Sequence, residues 1–303
     1  MAESILNKFS DELAKAAEQA GRSVVTVRAR MRVPSSGIVW RKGVIVTANH
    51  TIRRDSEISV LLPDGRRAEA KLAGRDPGTD LAILKVETGD TPVAHLGDPS
   101  LLKLANFVIA LGRTRSGNLV ASGGIVGGLG AEQRTWRGGW LDQAIRLDLA
   151  LYAGFSGGPL VSADGVVLGV NTSGLSRGRA MTIPVATVER SVSELLEKGY
   201  IARPYLGIAM QPVSIPENLR GKVKSSQQSG LMVMHVEGGG PAEKAGIVLG
   251  DVIVELRGQP ALDTETIRDL VAGAKLGEKI SMSVLRSGTP LEVTVVLAER
   301  PAK

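Results

Sequence analysis

The residues best able to do chemistry in this sequence are a serine and the glycines around it, in the segment GFSGGP at positions 154–159. Glycines on both sides of Ser156 allow a tight turn with positive φ, so that backbone N–H groups can converge on one point. A hydroxyl beside such donors can attack a carbonyl carbon while the N–H groups stabilise the oxyanion that forms. The segment indicates a serine hydrolase, although a plain Gly/Ser loop has a similar composition. It also matches G-x-S-x-G, the nucleophile elbow of α/β-hydrolases.

The order of the other candidate residues along the chain separates two kinds of hydrolase. An α/β-hydrolase needs its acid and then its histidine after the serine, and a helix directly after the elbow. The only histidine after Ser156 is His235, which lies in an apolar run. The residues that follow the serine, PLVSADGVVLGV, predict a β-hairpin that turns at Asp164 and Gly165. Both observations disfavour the α/β-hydrolase.

The opposite order of histidine, aspartate and serine fits a trypsin-like triad. His50 ends the apolar run GVIVTAN, and Asp80 begins the buried-type run DLAILKV. Asp80 can accept the Nδ1–H of His50, which leaves the other ring nitrogen to take the proton of Ser156. His95 is the rival base, but it lies in a polar connection rather than at a strand end. The pattern therefore predicts His50 as general base, Asp80 as its orienting acid and Ser156 as nucleophile.

Short β-type runs must position these residues. Between about residues 22 and 180 the chain alternates Val- and Ile-rich runs with turn residues, which predicts many short strands in one barrel or a pair of barrels. The stretch VERSVSELLEKG then has apolar residues at helical spacing and a glycine stop at Gly199. After a short linker at 202–204, the last part of the chain predicts roughly five or six strands and two short helices. The fold class is mainly β.

Composition excludes several other classes of protein. The 303 residues are 43% hydrophobic and 22% charged, which is typical of a globular protein large enough for two domains. There is no cysteine and there are three histidines, so we expect no disulfide, no metal site and no cofactor. The net charge of +6 comes from basic residues scattered among acidic ones without interleaved aromatic residues, so no nucleic-acid partner is expected.

The N-terminal segment predicts an amphipathic helix rather than a signal peptide. Ile5, Leu6, Phe9 and Leu13 fall at helical spacing, and acidic residues interrupt any continuous apolar stretch. No run of about 18 apolar residues is present to span a membrane. The sequence as given predicts a cytoplasmic protein, or a periplasmic or otherwise extracytoplasmic one if this chain is part of a longer protein.

Over about residues 22 to 300 the sequence resembles the HtrA/Deg family of trypsin-like proteases with a C-terminal PDZ domain. The motifs that carry the resemblance are GVIVTANH at 43–50, GTDLAILKV at 78–86, VIALGRTRSGNLVASGGIVGGLG at 108–130, AIRLDLALYAGFSGGPLVSADGVVLGVNT at 144–172 and MTIPVATVERSVSELLEKGYIARPYLGI at 181–208. The three motifs that hold the candidate triad follow one another in the family's order.

This resemblance implies a trypsin-like double six-stranded β-barrel followed by a small α+β PDZ domain. The expected bounds are a helical segment at 1–21, a protease domain at 22–200 and a PDZ domain at 204–300. The resemblance implies an ATP-independent serine endopeptidase of protein quality control and the stress response, with unfolded or misfolded polypeptides as substrates. It also implies assembly as a homotrimer through the protease domain.

The same resemblance assigns residues around the triad. The oxyanion hole is expected from the backbone N–H groups of Gly154 and Ser156, with that of Phe155 nearby. Ala150 stands where trypsin-type enzymes place the base of the primary specificity pocket. Because no acid is present there to bind a basic side chain, cleavage after small or medium aliphatic residues is expected. The residues expected to line the same pocket and to pair with substrate backbone are Asn171, Thr172 and Ser173.

Departures from the family pattern motivate an alternative function. Phe155 stands where the family usually has asparagine, Ser35-Ser36-Gly37 replaces Gly-Ser-Gly, and the residues around His50 read Thr-Ala-Asn-His-Thr. None of these changes removes a triad atom, but the bulky Phe155 is expected to change how the oxyanion loop settles. The alternative is a low-activity or inactive protease fold that acts as a chaperone or peptide-binding protein.

The C-terminal part carries the pattern of a peptide-binding domain. Tyr205, Leu206, Gly207 and Ile208 resemble the carboxylate-binding loop of PDZ domains, whose consecutive N–H groups hold a peptide C-terminus while the next strand pairs with the peptide. The segments GPAEKAGI and GDVI also match bacterial PDZ domains, and the run TIRDLVAG would form the other wall of the groove. Packing into the core is the alternative role for the side chains of Leu206 and Ile208.

Overall fold

The computed structural model of the protein describes residues 4–30, 33–175, 180–223 and 227–299. The chain divides into two compact units, Met1–Ile201 and Ala202–Lys303, and each has its own apolar core. The outermost positions of the predicted segments, residues 1–3 and 300, lie outside the described part of the chain.

The first unit begins with a barrel of six antiparallel strands. Their bounds are β1 Val24–Arg28, β2 Ser35–Arg41, β3 Val44–Ala48, β4 Ile58–Leu61, β5 Arg67–Asp76 and β6 Leu81–Val86. The barrel closes in the order β1-β2-β3-β6-β5-β4. Its interior includes the buried side chains of Val25, Ile45 and Leu84. Branched aliphatic side chains predominate because they pack well on a pleated, buried surface.

A second six-stranded barrel follows in the same unit. The bounds are β7 Phe107–Arg113, β8 Leu119–Gly130, β9 Gln133–Arg134, β10 Trp140–Leu141, β11 Ala144–Asp148, β12 Pro159–Ser162, β13 Val167–Thr172 and β14 Met181–Pro184. The barrel closes in the order β11-β14-β13-β12-β7-β8, while β9 and β10 form a separate two-stranded hairpin. The predicted pair of barrels is therefore confirmed, with the six strands in each barrel that the resemblance implies.

Two helices pack on the barrels of the first unit. Helix α1, Ile5–Gly21, buries Ala16 and Ala20 against the core and lies within the N-terminal segment that the sequence predicts to be helical. Helix α2, Val185–Lys198, ends as predicted at Gly199, whose φ of 82° is the left-handed cap that glycine adopts without steric cost. Among the described residues, no helix combines the length and the apolar character needed to cross a membrane.

The second unit is a small α+β domain. Its elements are β15 Pro204–Tyr205, β16 Ile208–Ser214, α3 Glu217–Arg220, β17 Ser229–Val236, α4 Pro241–Lys244, β18 Val252–Leu256, β19 Gln259–Pro260, α5 Thr264–Ala272, β20 Lys279–Arg286, β21 Thr289–Val296 and β22 Ala298–Glu299. The main sheet runs in the order β16-β17-β18-β20-β21, with β19 paired to β18, and β15 pairs with β22. Strand β16 therefore lies at an edge of the sheet, where a peptide strand could be added.

Candidate active site

The three predicted triad residues come from both barrels of the first unit. His50 lies in a single 3₁₀ turn, Asn49–Thr51, directly after β3. Asp80 ends the connection between β5 and β6, and Ser156 lies just before β12 in the second barrel. Neither barrel contains the whole triad, so the candidate site depends on how the two barrels pack together.

The carboxylate of Asp80 holds His50 through its ring and its backbone. Asp80 Oδ2 lies 2.7 Å from His50 Nδ1, and Asp80 Oδ1 accepts the backbone N–H of His50 at 2.8 Å. The Asp80 side chain is completely buried, whereas the imidazole keeps 23% of its surface exposed. An acceptor at Nδ1 favours the tautomer with its proton on that nitrogen, which leaves Nε2 free to accept a proton.

The turn before Asp80 is organised by hydrogen bonds. The carboxylate of Asp76 accepts the backbone N–H of Gly78 at 2.8 Å and the hydroxyl of Thr79 at 2.7 Å. Thr135, between β9 and β10, donates its hydroxyl to the carbonyl of Gly78 at 2.6 Å. Asp80 itself has a φ of +60°, a left-handed conformation that aspartate tolerates better than most residues. The surrounding hydrogen bonds support this less common conformation, which directs the carboxylate toward the imidazole.

The loop that carries Ser156 depends on its glycines. Gly154 and Gly157 have φ values of 102° and 87°, in the region that favours glycine. A side chain on Gly157 would also overlap the carbonyl oxygen of Ser36. The glycines predicted to allow a tight turn therefore do so on both sides of the serine.

Two backbone N–H groups of this loop can form an oxyanion hole. Among the described residues, the N–H groups of Gly154 and Ser156 donate to no backbone carbonyl. The N–H of Phe155 donates to the carbonyl of Tyr152 at 3.1 Å, so it cannot serve as the third donor considered from the sequence. Gly154 and Ser156 are thus the pair of donors that this loop leaves available.

The side chain of Phe155 is buried in the interior of the first unit. It is only 3% exposed and packs edge-on against the ring of Tyr152, with 5.8 Å between the ring centroids. It also lies against the backbone of Gly112, where a β-carbon would come within 3.3 Å of Phe155 Cγ. The bulky residue that departs from the family pattern is therefore buried, where it packs against Tyr152 and Gly112.

Ser36 connects the first barrel to this loop, and its role has no clear signal in the sequence beyond the Ser35-Ser36-Gly37 pattern. Its hydroxyl donates to the carbonyl of Gly154 at 2.7 Å and accepts the N–H of Arg113 at 2.8 Å. Its backbone N–H donates to the carbonyl of Ser156 at 3.1 Å. A single buried serine therefore holds the loop on both sides of Phe155.

The hydroxyl of Ser156 is directed toward Ser173. The two Oγ atoms are 3.2 Å apart, and among the described residues no hydrogen bond joins Ser156 to His50. Such a nucleophile–base hydrogen bond is often long or poorly aligned in a free enzyme and forms when substrate binds. The structure therefore brings His50 and Asp80 into direct contact, and it joins Ser156 to Ser173, in the residue directly after the Thr172 that donates to Asp80.

Two of the residues expected to line the specificity pocket have other positions. Asn171 is completely buried, donating to the carbonyl of Pro159 at 2.7 Å and accepting from Thr182 at 2.8 Å. Thr172 is also completely buried and donates its hydroxyl to Asp80. These two side chains cannot line a pocket in this conformation, because the barrel interior and the triad already use them. Ala150 and Ser173 are exposed.

The two other histidines lie apart from the triad. His95 is exposed in a connection, where its carbonyl accepts the N–H of Val167 at 2.8 Å. His235 is exposed on β17 of the second unit, where it is paired with Ala209. Among the described residues, only His50 has a carboxylate partner at its ring, which supports its choice as the candidate base.

The predicted carboxylate-binding loop precedes the edge strand of the second unit. The carbonyls of Leu206 and Gly207 accept the N–H groups of Ala242 and Glu237 at 2.9 and 2.8 Å. Among the described residues, the N–H groups of Leu206 and Gly207 donate to no backbone carbonyl. Gly207 has a φ of 77°. The loop is held by its carbonyls, and its N–H groups stay available for an anion.

The side chains around this loop pack on the core of the second unit, which is the alternative role considered for Leu206 and Ile208. Leu206 is buried in the core of the second unit, so its side chain packs as a core residue. Ile208 and Met210 of β16 are half-buried and pack on the same core, as does Leu270 of α5. Half-buried apolar side chains on β16 and α5 would contact a side chain of an added peptide strand.

Comparison with known proteins gives the same two-part organisation. The pattern of the trypsin-like peptidase domain matches residues 35–170, and that of the PDZ domain matches residues 204–297. A probable periplasmic DegP-like serine endoprotease from Bartonella henselae is 36% identical over 265 residues, which cover 86% of this chain and 52% of the relative. One from Brucella suis is 33% identical over 274 residues, covering 88% of this chain and 52% of the relative. The chain thus spans about half the length of these curated relatives.

Solved structures match over nearly the full chain. The HtrA-type protease AlgW with a bound tripeptide is 30% identical, with a TM-score of 0.68, and the match covers 96% of this chain and 98% of AlgW. The serine endoprotease from Yersinia pestis is 28% identical, with a TM-score of 0.70, covering 95% of this chain and 98% of that protein.

Proposed function

The chain belongs to the HtrA/DegP-like family of trypsin-like serine proteases with a PDZ domain, and we propose that it is an ATP-independent endopeptidase that cleaves unfolded or misfolded polypeptides. The observation that carries this proposal is the completely buried carboxylate of Asp80 bound to Nδ1 of His50. Beside this pair, Ser156 lies in a loop whose Gly154 and Ser156 N–H groups are available as donors.

In the proposed mechanism, Ser156 Oγ attacks the carbonyl carbon of the scissile bond while His50 Nε2 takes the hydroxyl proton. The N–H groups of Gly154 and Ser156 stabilise the oxyanion, and Asp80 stabilises the imidazolium without itself becoming protonated. His50 then gives the proton to the leaving amine, which breaks the C–N bond and leaves an acyl-enzyme. Water, activated in turn by His50, hydrolyses the ester and regenerates the serine.

We propose cleavage after small or medium aliphatic residues. Ala150, at the position assigned to the pocket base, offers no charge to a basic side chain. Since Asn171 and Thr172 are buried, Ser173 is the one residue of the predicted pocket strand whose side chain is exposed to a substrate. Cleavage after lysine or arginine as the major product would contradict this specificity.

The second unit is proposed to bind the C-termini of peptides. Available N–H groups at Leu206 and Gly207 suit a carboxylate, and the edge strand β16 suits β-augmentation. The similar AlgW structures contain a decapeptide or a tripeptide. A peptide ending in a free carboxylate should bind at least tenfold more tightly than the same peptide with an amidated C-terminus. Equal affinity for the two peptides would contradict capture of a chain end.

Peptide-library and casein cleavage by the wild type and by Ser156→Ala, read by mass spectrometry, tests the endopeptidase. Wild-type protein should give defined products and the variant none, while both unfold at the same temperature. A fluorophosphonate should label Ser156 in the wild type. Cleavage that persists in Ser156→Ala would contradict the assigned nucleophile. Binding of unfolded polypeptides without labelling or cleavage would favour the chaperone-like alternative.

Assembly and location are also proposals. Ile5 and Leu6 on α1 are 84% and 76% exposed, and we propose that they contribute to a homotrimer contact. Light scattering should then show a trimer that Ile5→Lys weakens. The curated relatives are named periplasmic, which does not support the cytoplasmic location expected from the sequence, so we propose that the protein acts outside the cytoplasm. Fractionation of the source cells tests this location.

A further inference from the structure

One tripeptide at the end of β13 contacts all three members of the candidate triad. The hydroxyl of Thr172 donates to Asp80 and accepts the N–H of Gly174 at 2.8 Å. A β-carbon on Gly174 would lie 2.6 Å from Asp80 Oδ2 and 2.7 Å from His50 Nδ1, so this backbone packs directly on the acid–base pair. Ser173 lies between these two residues in the chain, and its Oγ is 3.2 Å from the Oγ of Ser156. Thr172 and Gly174 position the base and its acid, whereas Ser173 contacts Ser156.

The contact of Ser173 with Ser156 competes with catalysis. A serine hydroxyl has one proton, so Ser156 cannot donate it to Ser173 and to His50 Nε2 at the same time. If Ser173 is the donor instead, it occupies a lone pair of the attacking oxygen. When Ser156 is the donor, the 3.2 Å contact must break or lengthen before Ser156 Oγ can give its proton to His50; when Ser173 is the donor, Ser156 keeps its proton and one lone pair.

We propose that Ser173 is a positioning residue that holds the Ser156 hydroxyl away from His50 in the free enzyme and releases it when substrate binds alongside Ser173. This inference rests on the proposed endopeptidase function. Ser173 is exposed at the position where a substrate strand is expected, whereas Ser156 is only 8% exposed. A bound peptide backbone would therefore meet the Ser173 hydroxyl directly.

Release requires only a side-chain rotation. The carbonyl of Ser156 accepts the N–H of Ser36 at 3.1 Å, and the next N–H, of Gly157, donates to the carbonyl of Asn171 at 2.9 Å. The peptide group between Ser156 and Gly157 is therefore fixed to both barrels. Rotation about the Cα–Cβ bond of Ser156, between staggered positions, breaks the contact with Ser173 without moving this peptide group.

The test uses diisopropyl fluorophosphate, a small probe that lacks a peptide and so reports the hydroxyl rather than the substrate-binding strand. Ser156 Oγ forms the bond to phosphorus, fluoride leaves, and His50 takes the proton. The full chain is compared as wild type, Ser173→Ala, Ser173→Val and Ser173→Thr, with labelling of Ser156 followed by mass spectrometry. Valine and threonine have nearly the same shape and differ in the hydroxyl.

Loss of one neutral hydrogen bond should raise the labelling rate of the alanine and valine variants about two- to tenfold, while threonine stays near the wild type. With a peptide substrate, kcat/KM should rise in the same two variants through a lower KM, with kcat little changed, because the bound substrate has already released the hydroxyl. Labelling of the alanine and valine variants at the wild-type rate or below would overturn this inference and leave the proposed function intact. Absence of labelling in all four proteins would overturn both.

Discussion

Thr172 and Asp80 are joined by a hydrogen bond across the two barrels, from the threonine hydroxyl to the same carboxylate oxygen that faces His50 Nδ1. Both side chains are completely buried. Because Asp80 belongs to the first barrel and Thr172 ends β13 of the second, the orientation of the carboxylate depends on both. The carboxylate that holds the candidate base is therefore bound by a residue 92 positions from Asp80 in the chain.

Thr172→Val should lower kcat/KM by roughly ten- to hundredfold, the range for loss of one hydrogen bond to a buried charged group. The fold should persist because valine has nearly the same shape. Thr172→Ser, which keeps the hydroxyl, should retain most of the activity. Peptide hydrolysis by the purified variants measures the effect, and wild-type kcat/KM in the valine variant would contradict it.

Gly174→Ala should inactivate the enzyme without unfolding it. The added β-carbon would come within 2.6 Å of Asp80 Oδ2 and 2.7 Å of His50 Nδ1, so the acid–base pair must shift. A misplacement of about 1 Å in a catalytic group lowers kcat by roughly a hundredfold. Gly128→Ala is the matched control because its β-carbon meets nothing closer than 3.6 Å. Steady-state kinetics with thermal unfolding checks the prediction, and equal kcat in the two variants would oppose it.

Ser36→Ala should impair the oxyanion loop and also reduce stability. It leaves the carbonyl of Gly154 and the N–H of Arg113 without their hydroxyl partner, at a cost of about 1–3 kcal/mol in the free energy of unfolding. We expect kcat to fall about tenfold with KM little changed, since the loop stabilises the transition state more than the bound substrate. The control is Ser35→Ala, which removes a neighbouring hydroxyl that makes no described bond to this loop. Urea unfolding and kinetics give the two readouts, and a Ser36 variant that behaves like the control would exclude this role.

Asp251 should make the stability of the second unit depend on pH. Burial alone would raise the pKa of this carboxyl, but hydrogen bonds from Arg286 and from the N–H of Val248 outweigh burial and hold the pKa below its ordinary value. Arg286 contributes Nε and Nη2, each 2.8 Å from a carboxylate oxygen. A folded-state pKa below the unfolded one gives stability that is present above about pH 4 and lost as pH falls through the folded-state value.

Asp251→Asn should therefore lower the melting temperature at neutral pH, by roughly 5 °C, and this difference should shrink as the pH falls below about 4. Thermal unfolding of the full chain from neutral to acid pH measures the difference. Hydrogen exchange at β17 and β20 locates it in the second unit. A difference between the two proteins that stays constant over this range would show that the ionised carboxylate is not its source.

Much of the fold can be predicted from the sequence because each element has a local signal. Alternating Val- and Ile-rich runs with glycine turns indicate the strands, and the glycine after α2 marks its end. The candidate triad is predictable for a related reason. His50 and Asp80 stand at strand boundaries, and Ser156 stands in a glycine-rich turn, in an order that few folds can use.

The roles of the residues after β13 could not be predicted in the same way. Asn171, Thr172 and Ser173 read as one polar run beside a pocket, yet the first is buried in the barrel, the second supports Asp80 and the third contacts Ser156. Alternation along a strand sends neighbouring side chains in opposite directions. Which direction each takes depends on the register of β13 against β12 and β14.

Local patterns along the chain are thus enough to predict the candidate triad and an organisation in two domains. The tertiary structure decides that the N–H of Phe155 donates to Tyr152. It also places Ser36 of the first barrel against the loop of the second barrel, and Thr172 of the second barrel against Asp80 of the first. These contacts join residues as far as 118 positions apart, and they depend on distances of a few ångströms between barrels. Residue types and spacing encode turns and strands, but they do not encode which hydroxyl faces which oxygen. The glycines around Ser156 therefore predict it as the candidate nucleophile. Its contact with Ser173 is seen only in the folded chain.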